Sequence, residues 1–449
     1  MDPAAPPTTG DRTPTSAEPA PVQVVPLTAD DTLRVLAVDQ AAFFFDPDGT
    51  VPARDTAHFV WPRTFGAVRG QTGSAQEPLA GTYTSYPMVV TVPGPLGSLR
   101  RVPMAGLSWV SVHPDERRRG VLRAMLTHHF ARLHDAGELL GGLHAAEVGI
   151  YGRFGYAVAS LEVSLTLDRG TAFLAPELDE AAAGVQTRFV AVDADPPALR
   201  RLQDVHARAA AVGPGVVTRA DDYVQAVLVD RPERRRGREP DQLLFAYAGS
   251  GTVSTGEPTG YAIFHRTQQW EAGQPRGTLK VLEMAAVDAP SLLAMARRLV
   301  DFDLVASTTF HARGVEDPLV WWTGSPRGGG LAVRDGLWLR LVDVDLALAA
   351  RGYSAACDVV LDVRDDVCPW NQGRWHLQVD STGSARCERT DADAEVRLPV
   401  QALGAAYLGS RTLAAQRMAG TVQELRPGSL WPLSRAMSDD REPLGAVDF

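Results

Sequence analysis

The chain has 449 residues, 45% of them apolar and 22% charged, with a formal net charge of -10. That length exceeds one compact core, so two to four domains are expected. The acidic balance argues against a nucleic-acid or anionic-membrane partner, which would gain no Coulomb energy from it, and no apolar run approaches the ~20 residues that span a bilayer.

Residues 1–30 begin MDPAAPPTTGDRTPTSAEPAP, with neither a basic region nor an apolar stretch behind it, so a disordered tail and a cytoplasmic location are expected rather than a signal peptide. Lys280 is the only lysine, which leaves arginine as nearly all the positive charge. Cys357, Cys368 and Cys387 share no C-x-x-C spacing and read as reduced thiols. His128 and His129 diverge by ~100° on a helix, the wrong spacing for a metal pair, so no metal is expected.

Residues 31–175 read as one α/β unit. LRVLAVDQAAFFF has the period of an amphipathic helix, and TYTSYPMVVTV and LSWVSV alternate as strands do. Leu122, Met125, Leu126, Phe130 and Leu133 then form one stripe of a helix closed by Gly137. The strand LLGGLHAA, the segment IYGRFGYAVA and the strand LEVSLTL complete the unit. Residues 185–330 repeat the outline, from the helices PALRRLQDVHARAAA and DDYVQAVLV through three strands to the helix SLLAMARRLVDF and a last strand, as a duplicated fold would. Residues 337–449 open with WLRLVDVDLALAARGY, continue with strands such as WHLQV and AEVRL, and end in two helices and an apolar tail.

The string ERRRG occurs twice, at Glu116 and at Glu233. Unpaired N–H groups at a helix start hold an anion when a strand delivers the turn and a helix follows it. The first copy has both neighbours; the second follows Pro232 and is cut off by Pro240, so it reads as an exposed loop.

Val110, Val112, Pro114, Arg117, Arg118, Gly120 and Arg123 fit V-x-V-x-P-x-x-R-R-x-G-x-x-R, which resembles the acetyl-coenzyme A loop of GCN5-related N-acetyltransferases (GNAT). Leu122 departs from the pattern, standing where glycine or alanine is usual. EVGIYGRFGYAVA, RDGLWLRLVDVDLALAARGY, AAYLGSRTLAAQRMA and the terminal Asp448-Phe449 resemble, in order, one branch of that family, the Eis (enhanced intracellular survival) acetyltransferases. The resemblance implies an α/β (α+β) chain of tandem GNAT-like domains, mixed sheets flanked by helices, with a sterol-carrier-protein-like C-terminal domain. It also implies an N-acetyltransferase that uses acetyl-CoA.

Acetyl transfer needs a neutral amine, donors for an oxyanion and a proton for the departing thiolate. No cysteine lies in the first unit to supply that proton. Tyr151 follows the strand near which GNAT folds insert the thioester; on its own it is either a packing residue or an acid, and the resemblance makes it the general acid. Phe154 and Tyr156 read as packing residues, with Gly149, Gly152 and Gly155 giving the turn its freedom. No histidine is placed near Tyr151 by spacing, and the resemblance gives the base as the C-terminal carboxylate of Phe449.

By the same resemblance the coenzyme meets Val110, Ser111 and Val112 through its pantetheine, Arg117, Arg118, Arg119, Gly120, Val121, Leu122 and Arg123 through its pyrophosphate, and Ala146 and Glu147 nearby. Ala146 replaces a serine frequent in relatives. Trp109, Asp46 and Asp448 are assigned to the acceptor pocket. The implied acceptors are cationic amines such as aminoglycosides, making antibiotic modification an expected activity, and the implied assembly is a homohexamer. The middle unit has DAPSLL in place of HPDERRRGVL, so it is expected to shape the pocket and bind no coenzyme. Competing readings are a protein lysine N-acetyltransferase and a lipid carrier or scaffold built on the C-terminal domain.

Overall fold

The computed structural model describes residues 21–43, 59–70, 78–191, 196–218, 235, 238–249, 256–444, 447 and 449. Residues 1–20, the segment 221–229, Asp46, Asp448 and all but Arg235 of the second ERRRG lie outside the described residues, whereas 21–30, read as the end of a disordered tail, form the strand Val22–Pro26, paired with Thr64–Arg69, and a 3-10 turn at Ala29–Asp31.

The first sheet grows from β1 (Val22–Pro26), β2 (Thr64–Arg69), β3 (Gly81–Pro93), β4 (Leu99–Val112) and β5 (Leu140–Leu143), antiparallel until β4 meets β5 in parallel. Alternate residues of β2 face opposite ways. Val68 packs with Val35 and Val38 of α1 (Thr32–Phe43), while Phe65 and Ala67 pack with Met125 and Phe130 of α2 (Val121–Asp135). On α2 the stripe Met125, Leu126, Phe130 and Leu133 is buried. Leu122 is only half-buried, and Val121 and His129 complete the stripe in its place. Burial drives the His129 imidazole down to about 3, so it packs as a neutral ring.

After β5 come α3 (Val148–Tyr151) and β6 (Ala157–Val158). The next strand, β7 (Leu161–Asp168), corrects the reading of LEVSLTL as the close of the first unit: it pairs with strands of the second sheet. That sheet also takes β8 (Gln186–Ala191), β10 (Gln242–Tyr247), β11 (Gly260–Thr267), β14 (Gly277–Ala286), β15 (Val305–Arg313) and β16 (Ala332–Asp335), in the order β16-β7-β15-β14-β11-β10-β8. Short β9 (Val217–Thr218) instead joins β3 of the first sheet, and β12 and β13 (Trp270–Glu271, Gln274–Pro275) form a small hairpin.

A second correction concerns 337–341. This stretch, read as the start of the third unit, forms β17 (Trp338–Leu341) and lies between β5 and β6 in the first sheet. All four of its residues are buried, including Arg340, which reaches Asp365 of the C-terminal region at 2.7 Å. The units are therefore laced together by exchanged strands. The C-terminal sheet has five strands, and its helices include Leu430–Met437, a third helix beyond the two read from sequence. Its core runs on into β3 and β4, with Met88, Val90 and Met104 packed beside Leu361, Trp375 and Leu403.

Candidate active site

β4 and β5 pair only at Ala105 with Gly141 and Gly106 with Gly142. Beyond them β4 runs on to Val112 while β5 stops at Leu143, and the strands part into a fork. A bulge shapes the β4 side: Thr84 faces Ser108 and Thr82 faces Ser111, so Trp109 and Val110 share the place opposite Tyr83. Trp109 takes φ +53°, a strained conformation for a bulky residue. The alternation sends Trp109 toward α1 and Val110 and Val112 toward α2. Phe59 meets the Trp109 ring edge-on at 4.8 Å and lies 5.1 Å from Trp61, so three aromatics line the α1 side.

From Val112 the chain passes through a short 3-10 turn, Pro114–Glu116, into the arginines. Arg118 has φ +61° and Gly120 φ +83°, and α2 starts at Val121 with Ala124 N–H donating to the Gly120 carbonyl. The N–H groups of Val121, Leu122 and Arg123 thus stand at the open helix end, and a side chain built on Gly120 would meet nothing within 4 Å. Glu116 pins the turn by pairing with both Arg69 and Arg119. Arg117 and Arg118 are exposed and have no ion-pair partner among the described residues; Arg123, also exposed, lies 5.9 Å from the Phe154 ring centre. An open helix start beside exposed arginines favours an anion.

On the other side of the fork, Ala146 and Glu147 are exposed and Tyr151 ends the one-turn α3. Burial, helped by the Glu147 carboxylate, pushes the Tyr151 phenol up to about 12, so it stays protonated and able to donate at neutral pH. Phe154 and Tyr156 are buried beneath it. Of the three glycines only Gly155 uses its freedom, at φ +91°, where a Cβ would strike the Arg340 side chain. Gln401 of the C-terminal region holds the same turn, donating to the Gly152 carbonyl at 2.8 Å.

The last residue reaches the fork. A Cβ on Gly106 would sit 2.8 Å from the Phe449 ring, which places that ring on the last paired position of β4 and β5. His144, one residue past β5, packs edge-on against Phe449 at 5.0 Å. Spacing had placed no histidine here, because the contact is made by the far end of the chain. Asp39 is a further residue that sequence reading missed: buried on α1, it accepts a 2.7 Å hydrogen bond from Ser111. Its only sequence signal is a carboxylate on the apolar side of the first helix.

Comparisons with known proteins bear on the fold that carries this fork. Residues 23–159 and 215–341 each match a model described as acetyltransferase (GNAT) domain, and 344–444 match a sterol carrier protein domain. The N-acetyltransferase Eis of Mycobacterium tuberculosis is 32% identical over 419 residues, 91% of this chain and 95% of that one. The chain belongs to the Eis family of GNAT N-acetyltransferases. An uncharacterized N-acetyltransferase of Streptomyces avermitilis is 37% identical over 81% of this chain and 85% of its own length. Eis1 from Mycobacterium abscessus superposes with a TM-score of 0.75 at 28% identity, covering 96% of this chain and all of that one. As an Eis-family protein the chain is an N-acetyltransferase, and no helix among its described residues is long and apolar enough to cross a membrane.

Proposed function

We propose that the protein transfers the acetyl group of acetyl-CoA to a primary amine of a cationic small molecule, aminoglycosides being the class that the family resemblance implies. The observation that carries this reading is the meeting at one fork of a pyrophosphate cradle, a protonated tyrosine and the chain's own last residue.

The coenzyme's phosphates lie on the α2 N-terminus with Arg117 and Arg118, and its pantetheine runs along the free edge of β4 at Val110 to Val112. The neutral amine attacks the thioester carbonyl, a C–N bond forms and the C–S bond breaks. The thiolate takes the Tyr151 proton, and the proton lost by the amine passes through water to the Phe449 carboxylate. With an ordinary pKa near 3.5 for such a carboxylate, its larger part is to orient the amine and steady its charge. His144 holds the Phe449 ring in place. Trp109, with Phe59 and Trp61, forms the acceptor wall, to which Asp46 and Asp448 add negative charge.

The second fork takes no coenzyme in this scheme. Its helix, Ala289–Val300, is capped by its own Asp288, which accepts from Ser291 N–H at 2.8 Å, and Pro290 removes another donor. A homohexamer is likewise proposed, with exposed Met418 and Trp431 as surfaces that assembly would cover; light scattering tests it.

The deciding experiment follows thiol release from acetyl-CoA with aminoglycosides, polyamines and lysine peptides. Tyr151→Phe is expected to lower kcat by about 10²–10⁴-fold with little change in coenzyme affinity. A chain lacking Phe449 is expected to lose most turnover. Unchanged rates in both would overturn the mechanism.

A further inference from the structure

The terminal residue does its proposed work only if something holds it, because a chain end left to itself frays. Its support comes from the middle of the chain. Leu444 N–H donates to the Pro214 carbonyl at 2.9 Å, which seats the start of the tail on the turn 213–216. That turn is itself fixed to the first sheet. Gly215 N–H donates to the Thr91 carbonyl at 2.8 Å, Thr91 N–H donates to the Val216 carbonyl at 2.9 Å, and β9 pairs with β3 directly after it.

The fit at this crossing is close. Gly215 has φ +89°, and a Cβ there would lie 2.9 Å from the Leu444 carbonyl oxygen and 3.0 Å from the Pro443 Cβ, so only glycine lets the two backbones pass. The Leu444 side chain stands against Gly213 and Gly314, where added Cβ atoms would meet it at 3.4 and 3.9 Å. Leu444 and Val447 also join Val216 in the wall of a cavity of about 540 Å³ in the second fork, where β14 and β15 part beyond Val281 and Phe310. The tail is thus seated on the second unit before it reaches the first fork.

Little slack is left in between. Five residues lead from Leu444 to Phe449, a reach of at most about 18 Å. On β3 five residues also lead from Thr91 to Tyr86, the partner of the Gly106 on which the Phe449 ring rests, a span of about 17 Å. A shift at Leu444 is therefore passed on to the terminal carboxylate.

We infer that the turn 213–216 of the second unit is a clamp that positions the terminal residue at the first fork, with Gly215 and Leu444 as its contact residues. The inference rests on the acetyl-transfer reading for what the carboxylate does, and on the contacts alone for where it is held. It gives the second unit, whose own helix end is already capped, a part in the reaction through the tail.

Two measurements on the full-length protein test it. Carboxypeptidase A removes a C-terminal phenylalanine only when the chain end leaves its seat, so release of Phe449 reports how often the clamp opens. Gly215→Ala, which forces the tail away, and Leu444→Ala, which removes its side-chain anchor, should each speed that release by about tenfold or more. With kanamycin and spermidine as acceptors, both variants should lower kcat by about 10–100-fold while the KM for acetyl-CoA stays in place. In a chain already lacking Phe449, neither substitution should lower the residual rate further, which separates positioning from general damage. Should Gly215→Ala fail to fold, Leu444→Ala carries the test. Phe449 released at the wild-type rate from the folded variants overturns the inference, as does an equal loss of rate with and without Phe449. Absence of thiol release with every amine overturns the acetyl-transfer reading instead, and the carboxypeptidase comparison still decides the clamp.

Discussion

In the first sheet β4 and β5 stay parallel through Gly106 and Gly142 and then part; in the second, β14 and β15 do the same past Val281 and Phe310. The turn that follows makes the difference. After β4 it carries three exposed arginines and two residues with positive φ, and leaves the helix end open. After β14 it is Val287, Asp288, Ala289 and Pro290, and a side-chain carboxylate sits where a phosphate would. The fork is a property of the fold, and a handful of residues at the next turn decide whether its helix end attracts an anion or is already satisfied.

Each fork has a buried arginine–aspartate pair beside it, Arg313 with Asp317 at the second and Arg340 with Asp365 at the first, and the latter gives the largest expected effect. Arg340 is fully buried beside the Tyr151 turn, pairs with Asp365 and stacks over Phe130 at 5.0 Å. Arg340→Met leaves Asp365 buried without its cation, at a cost of about 3–5 kcal/mol. Thermal unfolding should shift accordingly, and a variant that melts like wild type would show that the brace is not what holds this turn. Next in size, Arg117→Ala with Arg118→Ala should raise the KM for acetyl-CoA by about 10–100-fold, from lost charge-assisted hydrogen bonds, with kcat nearly kept. A fall in kcat at constant KM would place these arginines in the chemistry rather than in the cradle.

What was legible in the sequence follows the same division. The strand, the arginine turn and the open helix start were readable because they are consecutive, and Tyr151 stands in a short local motif. The α/β units and their duplicated outline were readable from period and order, and the resemblance supplied the fold names. Contacts between distant segments were not. β7 and β17 are ordinary apolar strands, and nothing in LEVSLTL or WLRL says which sheet will take them. His144 acquires its place only when Phe449, over three hundred residues later, packs against it. The second-domain cavity likewise depends on Leu444 and Val447 arriving from the tail. Gly149 and Gly152 misled in the opposite way: a glycine-rich string looked like a turn of special conformation, and only Gly155 adopts one.

A smaller effect tests the second fork directly. Asp288→Ala removes the cap of Ala289–Val300 and is expected to cost about 1 kcal/mol of stability. It should leave the KM for acetyl-CoA where it was, since the proposed coenzyme site is the other fork. A changed KM would give the second helix end a part in coenzyme binding and erase the contrast.

The last contrast concerns the acid beside each fork. Glu283 in the second is met by Tyr261 and lies 3.6 Å from His206, whereas Asp39 in the first is met by the Ser111 hydroxyl. Burial holds the Asp39 carboxyl above its ordinary 3.8, the Ser111 hydrogen bond offsetting only part of the effect. The folded chain therefore binds this proton more tightly than the unfolded chain. The resulting stability is fully present below the unfolded pKa and is lost as pH rises through the folded value. Asp39→Asn keeps an acceptor for Ser111 and removes the titration. The variant should match wild type in acid and become the more stable of the two from about pH 4 upward, levelling once pH has passed the folded value. Unfolding midpoints measured from pH 3 to 8 decide it. If the two curves run parallel throughout, the ionised carboxylate is stabilised by a group other than Ser111, and the acid of the first fork is as well supported as that of the second.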